Sequence, residues 1–177
     1  MKSIVDYEPA PGITAYPFIK KYFHEHIKPY YTDDNWPVYR YAEVLLFLAE
    51  AINEQNRPDE AIHYLNDTFG QASIRGRAGL APVKSQNVDA LREAIYQERR
   101  IELAFENKRW TDLLRTGRAV EVMTRHGQKI KANPESYYWP DGVQPVANAL
   151  FNPDKCLLPI PLREIDLNSE LKQNPGY

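Results

Sequence analysis

Three glutamates spaced four residues apart are the first residues whose type and spacing suggest chemistry. On a helix, Glu98, Glu102 and Glu106 would follow one stripe, where their carboxylates could bind a metal or act as acid and base. A di-iron site would also need two Glu-x-x-His pairs, and the chain has one, Glu60 to His63. Because arginines flank the stripe, an ion-pair lattice that joins packed helices is the favoured interpretation.

Other catalytic and metal-binding patterns are missing from the sequence. A glycan hydrolase needs two carboxyl groups at catalytic separation, and a helical stripe flanked by arginines is a poor source of such a pair. The sequence contains no nucleophile elbow, phosphate-binding loop or dinucleotide fingerprint. His24 and His26 lack a third ligand. We therefore predict no cofactor and no metal, and no catalytic centre is evident in the sequence.

Aromatic residues form two groups in segments that are rich in proline and glycine. Exposed rings on loops are typical of sugar-binding surfaces, because the C–H faces of a sugar stack on them while its hydroxyls reach polar neighbours. The alternative, favoured for any single ring, is that the rings pin long loops to the helices. The candidate ligand-binding residues are Tyr30, Tyr31, Trp36, Tyr137, Tyr138 and Trp139.

Composition narrows the class of protein further. The chain has 177 residues, a length typical of one domain, and its 22 Lys and Arg stand against 24 Asp and Glu. The net charge of −2 argues against nucleic acid as a partner, because that partner needs a basic surface. The single cysteine excludes an internal disulfide. The longest apolar run, Val44 to Ala49, is far shorter than the ~20 residues of a membrane span.

The elements that must position these groups are mainly helices. After Pro37, apolar residues recur with the period of one helix face, and Pro58 suits the first position of a second helix. The short turn between the two makes them antiparallel neighbours, an αα-hairpin. The expected inward residues are Tyr41, Val44, Leu45, Leu48, Ala49 and Ile52 in the first helix and Ala61, Ile62, Leu65 and Phe69 in the second.

Two further helices are expected beyond residue 86. Asn87 is a suitable N-cap for a third helix that runs to about Asn107. A fourth covers Arg109 to about Arg115, and Gly117 either ends it or bends the chain. The expected inward residues of the third helix are Leu91, Ala94, Ile95, Ile101 and Phe105.

The rest of the chain is expected to be irregular or extended. The helical pattern is lost from Gly127 to Asp154, where Asn-Pro and Asp-Gly pairs are turn signals. Leu157–Pro161 should be extended, because a residue before proline avoids the helical region. We predict an irregular segment 1–36, a helical core 37–126 and a loop-rich segment with an extended tail 127–177, all within one domain.

Four stretches, taken in order, resemble the C-terminal part of the SusD/RagB family of outer-membrane nutrient-binding lipoproteins. Each stretch alone is modest evidence, but the collinear set is highly specific. The stretches are YRYAEVLL (39–46) with AEAINE (49–54), RGRAGL (75–80), ERRIELAFE (98–106) with RWTDL (109–113), and LLPIP (157–161) with QNPGY (173–177).

The resemblance implies a mainly α fold of tetratricopeptide-like helix pairs with long irregular loops, in agreement with the predicted αα-hairpin. It also implies a non-catalytic protein on the outer face of the outer membrane. Such a protein captures a glycan or other nutrient for a SusC-type TonB-dependent transporter. This chain is shorter than a full family member, so we expect its lipid anchor to lie in a missing N-terminal part.

The resemblance implies that the matched charged residues are structural. A protein-interaction module of the helical-repeat class is the alternative function, since it needs only the helix pair. The expected structural lattice comprises Arg40, Glu43, Glu50, Glu98, Arg99, Arg100, Glu102, Arg109, Trp110 and Asp112.

Overall fold

The computed structural model describes residues 19–22, 35–68, 71–84, 87–134 and 151–177. They belong to two compact units, one formed by Ile19–Arg109 and one that includes Trp110–Tyr177. The described residues are mainly helical, as predicted. The helices are α1 Tyr41–Glu54, α2 Pro58–Asn66, α3 Ile74–Arg77, α4 Val88–Glu102, α5 Arg109–Arg115, α6 Ala119–Ala132 and α7 Leu162–Leu167, with 3₁₀ turns at Lys20–Tyr22 and Pro153–Cys156.

The first unit is built on the predicted pair of helices. Pro58 occupies the first turn of α2, where the missing N–H costs nothing, and Asn56 makes the preceding turn with a φ of 62°. α4 packs against both helices and completes the layer. The apolar core comprises Leu45, Leu46, Ala49 and Ile52 of α1, Ala61 and Leu65 of α2, Ile74 of α3, Leu91 and Ile95 of α4, and Leu103.

The inward face of α1 differs from the predicted one. Tyr41, Val44 and Leu48 are exposed rather than buried, whereas Leu46 is fully buried. The reason is that the apolar run Val44 to Ala49 covers the whole circumference of the helix, so spacing alone does not select the stripe. Tertiary packing selects it, and it also buries the polar side chain of Asn53, whose amide donates to the Val88 carbonyl at 2.9 Å.

Helix α4 begins as predicted but ends earlier. The Asn87 side chain caps it by accepting from the amides of Asp89 and Ala90 at 2.9 and 3.2 Å. The helix stops at Glu102, and Phe105 follows in the left-handed region with a φ of 67°. The predicted continuation to Asn107 is therefore wrong.

Two side chains near the end of α4 do not face inward as expected. Phe105 and Ile101 are exposed, although both were expected on the inner face. Ile101 is still within α4, but it follows Ile95 by six residues and therefore lies off the buried stripe. A left-handed residue cannot continue an α-helix, so the chain leaves the helical path and carries the Phe105 ring away from the stripe of Leu91 and Ile95.

The connection between α2 and α4 contains more structure than its glycines suggested. Asp67–Thr68 and Gln71–Ala72 are antiparallel strands β1 and β2, with Asp67 opposite Ala72 and Thr68 opposite Gln71. The short helix α3 follows and is fixed by Ile74, which is buried in the core.

The second unit contains α5, α6 and α7. Gly117 ends α5 with a φ of 68°, and the Arg118 amide then donates to the Leu113 carbonyl at 2.9 Å, which is a Schellman-type end.

α6 continues through Gly127 to Ala132, so the expected loss of helix at Gly127 is wrong. One glycine inside a helix costs about 1 kcal/mol, which good helix formers on both sides offset.

The closing residues bind back to the extended segment Leu157–Pro161. The Gln173 side chain pairs with both backbone groups of Ile160, at 2.8 and 2.9 Å. The Asn174 amide donates to the Leu158 carbonyl at 2.7 Å. These bonds explain why the two parts of the fourth stretch occur together, and the segment is non-helical as predicted.

The revised face of α1 leads to a stability prediction. We expect Leu46→Ala to lower the free energy of unfolding by about 2–5 kcal/mol, because it empties a fully buried position. Leu48→Ala on the same helix should cost less than about 1 kcal/mol, since Leu48 is 40% exposed. Urea unfolding followed by circular dichroism measures both variants, and equal losses would contradict the assigned face.

Candidate ligand-binding surface

Two aromatic side chains stack on each other before the start of α1, and a third, Tyr39, follows Trp36 by three residues in the chain. The Trp36 ring stacks on Tyr22 with centroids 5.3 Å apart and an angle of 23° between the planes. Trp36 is 56% exposed and Tyr39 is 69% exposed. We call Tyr22, Trp36 and Tyr39 the aromatic platform. Exposed faces of this kind can stack on the C–H face of a sugar or on another flat ligand.

The platform is fixed through polar contacts to the turn after α4. The Tyr22 hydroxyl donates to the Phe105 carbonyl at 2.8 Å. Lys108 donates to the Val38 carbonyl at 2.6 Å, and its ammonium lies 4.5 Å from the centroid of the Tyr39 ring. The left-handed residue Phe105 therefore has a positional role, because it aims its carbonyl at Tyr22.

Lys21 and Arg40, which adjoin Tyr22 and Tyr39 in the chain, form a charge cluster with Glu102 and Glu106. Arg40 donates from Nε to Glu106 Oε2 at 2.9 Å and from Nη2 to Glu102 Oε1 at 2.9 Å. Lys21 donates to the Glu102 carbonyl at 2.7 Å and also pairs with Glu106. Two cations and two carboxylates thus balance, and they join the 3₁₀ turn, the start of α1 and the end of α4.

The charge cluster changes the pKa of the Glu106 carboxyl. Burial alone raises its pKa, but the hydrogen bonds from Arg40 and Lys21 outweigh burial and hold the pKa below its usual value. The hydrogen bond to Glu106 raises the pKa of Arg40. Burial, with the charge of Glu106 added, raises the pKa of the Tyr22 hydroxyl. Glu106 is therefore a permanent anion at neutral pH.

A second group of charges surrounds Glu43 and includes Lys108, the residue that lies over the Tyr39 ring. The buried carboxylate of Glu43 lies 3.0 Å from the Lys108 ammonium and 3.5 Å from Arg99 Nη2. Arg99 is itself buried and lies over the Phe47 ring at 4.7 Å from the centroid. Lys108 thus links a buried anion to the backbone and ring of the platform.

The glutamate stripe of the sequence does not form one site. Glu98 is buried and pairs with Arg75, which also donates to the Ala81 carbonyl at 2.8 Å. Glu102 and Glu106 instead face Arg40, and Glu106 lies beyond the end of α4. Within the described ranges, no group of three or more histidines, cysteines and acidic residues could hold a metal ion.

The other residues expected in the lattice lie at several places. Glu50 is half-buried on α1, and Arg100 and Arg109 are exposed. Trp110 packs edge-on against Phe151 with centroids 5.8 Å apart, and the mostly buried Asp112 accepts from Arg115 at 2.8 Å. The candidate binding residues Tyr30, Tyr31, Tyr137, Tyr138 and Trp139 lie outside the described residues.

Of the predicted binding residues, Trp36 is the one that the described structure places on the platform. Sequence reasoning did not single out its partners Tyr22 and Tyr39 or the supporting Lys21 and Lys108. Lys21 and Tyr22 lie in a segment without periodicity, so only tertiary contacts could reveal them. Tyr39 had a signal, since it opens the first of the four matched stretches.

Fold and surface together define a mainly helical scaffold with exposed aromatic rings and with buried carboxylates that are neutralised by basic partners. Residues 9–177 match the SusD family. The chain therefore belongs to that family. Among the described residues, no helix combines the length and apolarity needed to cross a bilayer.

Individual relatives agree with this assignment. SusD-like protein P2 of Formosa agariphila is 39% identical over 148 residues, and SusD-like protein P38 of the same organism is 41% identical over 108 residues. These matches cover 81% and 59% of this chain but 26% and 22% of those proteins. The crystal structure of a SusD homolog from Bacteroides thetaiotaomicron VPI-5482 is 31% identical with a TM-score of 0.59, over 80% of this chain and 27% of that one.

The chain thus spans about a quarter of the length of the relatives that it matches. The structural similarity covers 80% of the chain and the sequence similarity to P2 covers 81%.

The charge cluster leads to a prediction about stability and pH. We expect Glu106→Gln to lower the free energy of unfolding by about 1.5–3 kcal/mol at pH 7, because Lys21 and Arg40, whose side chains are 33% and 29% exposed, lose the anion that accepts their hydrogen bonds. The folded pKa of Glu106 lies below its ordinary value of 4.5, so the stabilisation is complete above that value. It is lost as the pH falls through the lower, folded value. Urea unfolding between pH 7 and pH 3 measures the difference between variant and wild type.

The matched control is Glu60→Gln, which breaks an exposed pair with Arg57. This change should cost less than about 1 kcal/mol. A gap between wild type and Glu106→Gln that stays constant down to pH 3 would contradict the ionic origin of the stabilisation.

Proposed function

We propose that this chain is part of a non-catalytic glycan- or nutrient-binding protein at the outer surface of the outer membrane. The protein captures its ligand for a SusC-type TonB-dependent transporter. The observation that carries the proposal is membership of the SusD family over residues 9–177. The role in capture is the one expected for this family, and the aromatic platform gives it a physical basis in this chain.

The platform supports binding through its exposure and its rigidity. Trp36 presents an open ring face, while Tyr22 beneath it is fixed by its hydroxyl and Tyr39 by Lys108. Because these rings are already ordered, a ligand does not have to immobilise them, which reduces the entropy lost on binding. Stacking on such rings contributes binding energy without a covalent step.

The state of the carboxylates supports a non-catalytic role. Glycoside hydrolysis needs a carboxylic acid with a raised pKa as its proton donor. Arg92 lowers the pKa of Glu54 through a hydrogen bond, and the net effect on Glu106 is also a lower pKa. Both carboxylates are therefore neutralised by arginine rather than prepared to give a proton.

The first test concerns the platform. We expect the chain to bind at least one oligosaccharide in a calorimetric panel and Trp36→Ala to weaken that binding by about 1–2 kcal/mol, because one stacking face is lost. Trp36→Phe should retain most of the affinity. Leu158→Ala is the control, since it removes an exposed apolar side chain elsewhere in the chain. Unchanged affinity in Trp36→Ala would exclude the platform as the binding surface.

The second test concerns the transporter. When the whole protein that contains this chain is purified from its native membranes, we expect a TonB-dependent transporter to co-purify. Detergent extraction followed by mass spectrometry identifies the partner. Recovery of a soluble cytosolic partner instead would favour the helical-repeat interaction module.

A further inference from the structure

A cleft opens beside the charge cluster and shares Arg40 and Glu102 with it, but none of its lining residues belongs to the aromatic platform. Its volume is about 400 Å³, within the usual range of ligand-binding clefts. Its floor is apolar and comes from the core, through Leu45 and Ile74. The remaining lining residues are Arg40, Tyr41, Ala42, Arg77, Ala78 and Glu102.

One charge in this cleft is not balanced. Arg40 and Glu102 pair with each other, and the neighbouring Arg75 pairs with Glu98. Arg77 is exposed and has no carboxylate within 4.0 Å among the residues that the structure describes. Since Lys21 and Glu106 also balance within the cluster, Arg77 gives the cleft an excess positive charge.

The position of Arg77 is set by a well-anchored turn. Ile74 fixes α3 in the core, and Arg75 joins the same turn to Glu98 and to the Ala81 carbonyl. The Leu80 amide closes the turn by donating to the Arg75 carbonyl at 2.9 Å. A guanidinium on such a support binds an oxyanion with two parallel hydrogen bonds and loses little freedom in doing so.

The other wall of the cleft suits a sugar ring. Tyr41 is 69% exposed and offers a ring face at the mouth. Glu102 is a partly exposed carboxylate that can accept hydrogen bonds from hydroxyl groups while it stays paired with Arg40. The cleft thus combines a stacking face, a hydroxyl acceptor and a free cation.

We propose that this cleft binds an acidic sugar, with the carboxylate or sulfate group of the sugar on Arg77 and its ring against Tyr41. The inference rests on the proposed function, because it assumes that the ligand is a glycan. It adds the chemical class of that glycan, and it places the recognition of the anion in a cleft separate from the aromatic platform.

The test compares three ligands of similar size by calorimetry: trigalacturonate, its methyl ester, and a sulfated galactose trisaccharide. We expect at least one of the two anionic ligands to bind at least about tenfold more tightly than the neutral ester, and the preferred anion identifies the group on Arg77. Arg77→Gln should remove that preference, while Arg77→Lys should keep part of it. Arg163→Gln is the matched control, because Arg163 is also exposed but lies in the second unit.

The location is checked independently by NMR. Titration with whichever of trigalacturonate and the sulfated trisaccharide binds more tightly should shift the Nε–H signal of Arg77 and leave that of Arg163 in place. Equal affinity for anionic and neutral ligands, or an Arg77→Gln variant that binds like the wild type, would overturn the inference. If those ligands still bind through Trp36, the proposed function survives. Failure of every oligosaccharide to bind would overturn both.

Discussion

The neutralisation of buried carboxylates is the constraint on which the described structure depends most. Glu106 is 2% exposed, and a charge in that position is tolerated only when cations neutralise it. Arg40 and Lys21 come from distant parts of the chain to meet it. The requirement therefore joins three separate segments in one arrangement, and the aromatic platform is a consequence of that junction.

The same constraint recurs at Glu43 and Glu98, each buried and each matched by a basic residue from another segment. These pairs specify how the helices are placed along each other, because a helix shifted by one residue would leave an anion buried without a partner. The apolar core alone tolerates repacking far better. The charges thus specify the relative placement of α1 and α4 more tightly than the core does.

The parts of the fold that could be predicted from sequence were those controlled by local physics. The Asn87 cap, Pro58 at the first turn of α2, the αα-hairpin and the bounds of α5 depend on neighbouring residues, and the structure confirms them. The inward stripe of α1 depended on tertiary packing, because apolar residues surround that helix. The end of α4 depended on a left-handed Phe105, a conformation that no local signal announces.

The candidate surface could be predicted only in part for the same reason. Trp36 was identified by its residue type, whereas Lys21 and Tyr22 are positioned by contacts to Ala104 and Phe105 in the turn after α4, 83 residues further along the chain in each case. Arg77 lies in the second of the four matched stretches, RGRAGL (75–80). Its proposed role depends instead on the lack of a nearby carboxylate among the described residues. Spacing along the chain contains no information about such a charge balance.

The way the closing residues bind Leu157–Pro161 has a consequence for self-association. An extended apolar segment normally offers its backbone as a template for a strand of another molecule. Here the Gln173 side chain already occupies both backbone groups of Ile160, and Pro159 and Pro161 have no N–H to offer. A side-chain amide imitates a neighbouring strand but cannot extend the ladder further. The backbone of Ile160 is therefore not available to a strand of another molecule, which protects the segment Leu157–Pro161 from edge-to-edge aggregation.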